Sequence, residues 1–122
     1  MSIDEYFESI DILLNNPLFI KIEIKKEKKS INTALLVGKI TLSNFSEFHF
    51  MEYIESDSRT AVVTYRYHYQ TKNKELIFRY DNAPHHEEIK TFPHHKHTAT
   101  KVIDTKQKTL SEVIEEILLL NR

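Results

Sequence analysis

A chain of 122 residues is long enough for one ordinary domain and too short for two cores of normal size. With 40% hydrophobic and 29% charged residues it has the apolar content that disordered chains lack, while a single glycine excludes phosphate-cradling loops, dinucleotide fingerprints and nucleophile elbows, and zero Cys excludes thiol nucleophiles, disulfides and thiolate metal sites. Net charge is −1 with neutral histidines, so no overall basic field advertises nucleic acid, but protonation of all seven His against 17 basic and 18 acidic residues would carry it to +6.

Ser2 and Glu5 have the capping-box spacing, and Ile3, Tyr6, Phe7, Ile10, Leu13 and Leu14 follow at helical intervals until Asn15-Asn16-Pro17. Ile20, Ile22 and Ile24 alternate with Lys21, Glu23 and Lys25, the pattern of a strand wet on one face. Further strands are expected over 34–42, 47–56, 61–70 and 75–81, divided by polar turns, with a last strand over 95–103 after a proline-bearing loop. Thr109 and Glu112 repeat the capping box, and Leu110, Val113, Ile114, Ile117 and Leu120 give a second helical stripe. These elements predict one α+β domain over residues 1–122: a curved antiparallel meander of five or six strands, with the N- and C-terminal helices packed on one face. No apolar run approaches the ~20 residues of a membrane span and no leader pattern opens the chain, so a soluble, cytoplasmic protein without membrane partners is expected.

Taking Asp57-Ser58 and Lys72-Asn73 as two-residue hairpin tips sets a register. It places Tyr65, Tyr67 and Tyr69 opposite Tyr80, Phe78 and Leu76, and Phe50 and Phe48 opposite Tyr65 and Tyr67, on an aromatic face turned to the helices. The other face then carries Glu47, His49, His68 and Arg66, with Arg66 directly across from Arg79. Two guanidinium groups so placed repel, and an anion or a carboxylate such as Glu47 must offset them. A phosphate-binding strip and an ordinary solvated sheet face are both consistent with that pattern.

His85, His86, His94, His95 and His97 crowd into thirteen residues. Metal ligation, acid–base chemistry and a structural hydrogen-bonded network compete as explanations. His95 and His97 lie on one side of a strand and could begin a zinc site completed by Asp81, His85 or Glu87, but the spacing matches no standard metal motif, so no cofactor and no metal ligands are expected. Metal-free RNA cleavage needs a base for the 2′-hydroxyl, an acid for the leaving oxygen and cations on the phosphorane, and His, Tyr and Arg supply these near neutral pH.

Tyr67-His68-Tyr69, Arg79-Tyr80-Asp81-Asn82-Ala83-Pro84-His85-His86 and Phe92-Pro93-His94-His95-Lys96-His97 resemble the TumE-like toxin components of prokaryotic toxin–antitoxin systems. The resemblance extends over roughly residues 35–118, with Glu52 at a strand acid and Asn44-Phe45-Ser46 in place of a glycine turn, and leaves the first helix uncovered. It implies a toxin that is an endoribonuclease of the broad RelE-like kind, acting on RNA and neutralised by a helix-turn-helix antitoxin; a homodimer is left open. Together with the acid–base reading it gives His68, Arg79, His85, His86, His94, His95 and His97 as catalytic candidates. Arg66, Tyr80 and Lys96 are the nucleic-acid-binding candidates. A metal-dependent hydrolase or nuclease and a non-catalytic nucleic-acid-binding module are the alternatives.

Overall fold

The computed structural model describes residues 1–84 and 88–122. Helix α1 (Ile3–Leu13) starts at a reciprocal cap, in which the Glu5 amide donates to the Ser2 hydroxyl at 3.1 Å and the Ser2 amide to the Glu5 carboxylate at 3.1 Å. Helix α2 (Leu110–Leu120) opens on the same device, built from Thr109 and Glu112. Each helix buries one stripe: Ile3, Phe7 and Ile10 in α1, and Leu110, Val113, Ile114 and Ile117 in α2.

Between them run β1 (Phe19–Lys28), β2 (Thr33–Leu42), β3 (Glu47–Ser56), β4 (Thr60–Gln70), β5 (Leu76–Asp81), β6 (His95–His97) and β7 (Val102–Asp104). Each strand pairs antiparallel with the next, so the spatial order is the chain order. The described residues thus form one seven-stranded sheet in a mostly β chain, which corrects the expectation of five or six strands. The additional strand comes from 95–103, which reads as a single strand in sequence. The Thr98 amide donates to the Lys101 carbonyl at 2.8 Å and folds this segment into the β6–β7 hairpin. Thr98-Ala99-Thr100-Lys101 has none of the Gly, Pro or Asn residues that advertise a tight turn.

The register differs from the two-residue-tip expectation by two positions in both central hairpins. Ser56 pairs with Thr60 around a three-residue loop, and a bulge between Tyr53 and Ile54 adds a second step, so Phe50 faces Tyr67 and Phe48 faces Tyr69. The β4–β5 loop runs from Thr71 to Glu75, closed by the Thr71 amide on the Glu75 carbonyl at 2.9 Å with Lys74 at φ 70°. Another bulge, between Tyr69 and Gln70, again adds one step, so Tyr67 faces Tyr80 and Tyr69 faces Phe78. One residue from the loop and one from the bulge make an even slip, and an even slip leaves every side chain on its own face. The aromatic face therefore survives while its partners change. On the other face Arg66 lies opposite Asp81 and Arg79 opposite His68, so the expected Arg66–Arg79 pair does not form.

Phe48, Phe50, Tyr65, Tyr67, Tyr69, Phe78 and Tyr80 are buried in one cluster with the helix stripes. The Phe50 ring lies over its cross-strand partner Gly38, where an added Cβ would stand 2.1 Å from Phe50 Cζ. Gly38→Ala is therefore expected to cost about 1–3 kcal/mol through displacement of that ring. A thermal midpoint equal to the wild type would show that the ring moves aside freely.

Glu52 is the charged residue of this interior, fully buried opposite Tyr65. The Tyr6 hydroxyl donates to its Oε1 at 2.5 Å and the Tyr67 hydroxyl to its Oε2 at 2.6 Å, tying α1 to the sheet. Burial nevertheless raises the Glu52 carboxyl above the ordinary carboxylate value, outweighing both hydrogen bonds. A group raised in the folded state loses its contribution as pH climbs through the raised value. Glu52→Gln removes that titration and keeps a side chain able to bond both hydroxyls. Its thermal midpoint relative to the wild type is expected to rise as pH climbs above the ordinary carboxylate range, and a difference that stays flat or falls contradicts the assignment.

Candidate functional site

The register aligns polar side chains in two rows across the face opposite the helices. His49 of β3, His68 of β4, Arg79 of β5 and His97 of β6 are successive cross-strand partners. Met51, Arg66, Asp81 and His95 form the neighbouring row. A cleft of about 370 Å³ opens over their junction, lined by Met51, Thr64, Tyr65, Arg66, Arg79, Asp81, Ala83 and His97.

Asp81 is the centre of this arrangement and is 6% exposed. Its Oδ2 lies 3.3 Å from Arg79 Nε and 3.4 Å from His97 Nε2, while its Oδ1 lies 2.7 Å from His95 Nε2 and accepts the Ala83 amide at 3.1 Å. The carboxylate beside the arginines is therefore Asp81. Glu47, assigned that task in the sequence reading, sits at the far end of β3 with Lys74, Lys39, His49 and Gln70. Hydrogen bonds from Lys74 and His49 hold the Glu47 carboxyl down at about 2.

The predicted site residues divide between the two faces. His68, Arg79, His95, His97 and Arg66 meet on the outer face. His68 Nε2 bonds Gln70 Oε1 at 2.8 Å, and burial, reinforced by the charges of Arg79 and Arg66, lowers its pKa below the ordinary imidazole value against the opposing pull of Gln70. Arg66 is exposed and makes no ion pair among the described residues. His95 is buried, with Nδ1 donating to the Pro93 carbonyl at 2.8 Å and its ring edge-on to His97 at 4.7 Å.

His94 is one residue out of phase with that pair. It stacks on the core residue Tyr65 at 5.9 Å with Nδ1 2.9 Å from the Tyr65 hydroxyl, and burial lowers its pKa as well. Tyr80 and Lys96 pair with each other on the helix side. The Tyr80 hydroxyl donates to Glu116 Oε1 at 2.7 Å, and the Lys96 ammonium lies 4.9 Å from the Tyr80 ring and 3.2 Å from Glu116 Oε2. Both hold α2 to the sheet, away from Arg66 and Arg79. His85 and His86 lie outside the described residues.

Asp81 is the residue the sequence reading undervalued, weighing it as a metal-site complement. The signal was available: Asp81 follows Arg79 by two residues on one strand and so shares its face. Asp81, His95 and His97 also form a potential ligand set, with one ligand atom from each lying within 4.8 Å of the others. The chain spacing hides this group because its members come from two strands.

Among the described residues, no helix is long and apolar enough to cross a membrane. Searches of curated proteins and of solved structures give no match. A family model described as Toxin TumE matches residues 9–120, which extends the resemblance seen in the sequence back into the C-terminal part of α1. Membership of a toxin family carries with it a toxin role and an antitoxin partner. Spanning every strand, all of α2 and the end of α1, that match shows that the chain belongs to the TumE toxin family.

Proposed function

We propose that this toxin is an endoribonuclease whose reaction takes place in the outer-face cleft. One observation carries the reading: His68, Arg79 and His97 stand side by side on three consecutive strands, with Arg66 and Asp81 in the adjoining row. A cationic, imidazole-bearing cleft supplies what metal-free phosphodiester transfer requires. The substrate 2′-hydroxyl attacks the adjacent phosphorus, a new P–O bond forms, and the 5′-oxygen of the next nucleotide leaves, giving a 2′,3′-cyclic phosphate and a free 5′-hydroxyl. His68, kept neutral by burial and by the arginine charges, takes the 2′-hydroxyl proton. His97, paired with the Asp81 carboxylate, gives a proton to the leaving oxygen. Arg79 and Arg66 bond the nonbridging oxygens, whose charge grows in the transition state.

Local field accounts for RNA binding by a chain of net charge −1, because Arg66 and Arg79 lie together while the lysines of β1 and their acidic neighbours lie at the other edge of the sheet. His85 and His86 remain sequence candidates for the same reaction. The cytoplasm is the proposed site of action and a helix-turn-helix protein the proposed antitoxin.

Arg79→Ala is expected to lower RNA cleavage by ~100- to 1,000-fold and to relieve growth arrest on expression. Arg79→Lys should rescue little, since an ammonium lacks the planar fork. Thermal midpoints measured beside the rates separate this from loss of the Asp81 contact: inactivity that merely tracks unfolding, or near-native rates in folded variants, removes Arg79 from the reaction. The acidic limb of the rate–pH profile should lie below the ordinary imidazole value of about 6.5, because the active base is the neutral form and His68 is lowered. A limb unchanged in an active His68→Gln variant would assign it to another group.

A further inference from the structure

We infer that Asp81, His95 and His97 form a binding site for one divalent late transition metal ion, represented by Zn²⁺. Three separate features of the geometry meet there. The first is convergence: Asp81 and His95 are direct cross-strand partners, His97 follows His95 by two residues on the same face, and their ligand atoms lie within 4.8 Å of one another. Zinc–nitrogen and zinc–oxygen bonds of about 2.1 Å in a tetrahedron require ligand atoms about 3.4 Å apart. His97 Nε2 and Asp81 Oδ2 already stand 3.4 Å apart, and small side-chain rotations open the 2.7 Å between His95 Nε2 and Oδ1.

The second feature is tautomer control. A carbonyl oxygen only accepts, so the 2.8 Å contact to Pro93 makes His95 Nδ1 the protonated nitrogen. A neutral His95 ring then presents its Nε2 lone pair to a carboxylate oxygen 2.7 Å away. Two electron-rich atoms at that distance need a positive centre between them, either a proton or a metal ion. A ligating histidine anchored through its other nitrogen to a backbone carbonyl is the outer-shell arrangement of metal sites. The Ala83 amide on Oδ1 steadies the third ligand in the same way.

The third feature is donor chemistry and position. Two imidazole nitrogens and one carboxylate oxygen favour zinc and its neighbours over Mg²⁺ or Ca²⁺, which prefer all-oxygen shells. Asp81 and His97 also line the cleft, leaving a fourth position for water. Arg79, 3.3 Å from Oδ2, competes with the ion for the carboxylate and keeps the affinity below that of a closed structural site. On the reading of His97 as the proton donor, a bound ion takes its lone pair and suppresses cleavage, so Zn²⁺ acts as a reversible inhibitor.

The test is titration of Zn²⁺ into full-length protein carrying no affinity tag and stripped with chelator, followed by calorimetry, with Co²⁺ as a spectroscopic substitute. One ion per chain is expected, with the intense visible absorption of four-coordinate Co²⁺ and a tenfold or greater loss of affinity in His97→Ala and in His95→Ala. His49→Ala should bind as the wild type does. Because His95 is buried, the half-buried His97 variant and the wild-type cobalt spectrum decide the matter if His95→Ala fails to fold. Absence of saturable binding, an octahedral cobalt spectrum, or equal binding in a folded His97→Ala overturns the site. Cleavage should persist in chelator and fall as Zn²⁺ is added. Cleavage that needs Zn²⁺ overturns its inhibitory role and the metal-free mechanism together while the binding site stands, and a lack of any RNA cleavage counts against the proposed function alone.

Discussion

A single carboxylate, that of Asp81, ties together strands on the outer face of the sheet. Asp81 sits at the last position of β5, where the chain leaves the sheet for a loop and must return as a strand of three residues. Three residues offer few ladder hydrogen bonds, so β6 depends on side-chain contacts to keep its place, and its two outward histidines both reach Asp81. The same carboxylate contacts Arg79 through Oδ2. Removal of Asp81 would take one carboxylate away from buried His95 and from Arg79 at once, a greater cost than either contact alone is worth.

The two faces handle ionisable groups in opposite ways. On the helix side Glu52 is enclosed by tyrosine hydroxyls and pushed toward its neutral form, and Glu116 binds Tyr80 and Lys96 at the base of α2. These groups fasten helices to strands. On the outer side Arg66, Arg79 and His97 line an open cleft beside Asp81. Tyr80 and Lys96 have the chemistry of RNA contacts, yet strand parity sends them to the fastening side.

Most of the framework was legible in the chain because its signals are local. Both capping boxes need only four residues, and the alternation of β2 to β5 needs only that neighbouring side chains point to opposite faces. Pairing was less legible, since Asp57-Ser58-Arg59 and Thr71 to Glu75 lack the Asn-Gly or Asp-Gly dipeptides that fix a hairpin, and no composition marks a bulge at Val62 to Thr64. The split of 95–103 into β6 and β7 was hidden for the same reason. The histidine crowding was plain, but its division was not: His95 and His97 face Asp81, while His94, out of phase by one, joins Tyr65. Parity within a three-residue strand cannot be read until the start of that strand is known.

The paired loop and bulge in each central hairpin also limit how such a chain can tolerate insertions and deletions. Loss of Val63, the β4 residue that the bulge leaves unpaired, would keep Val62 opposite Ile54 and Thr64 opposite Tyr53, so that Tyr65, Tyr67 and Tyr69 stay on the helix face. Loss of one residue from the regular run between Tyr65 and Tyr69 would instead turn over the part of the strand on one side of the gap. Single-residue length changes in these hairpins are therefore absorbed at the loops and bulges, which act as slack in the register, and are excluded from the regular strand between them.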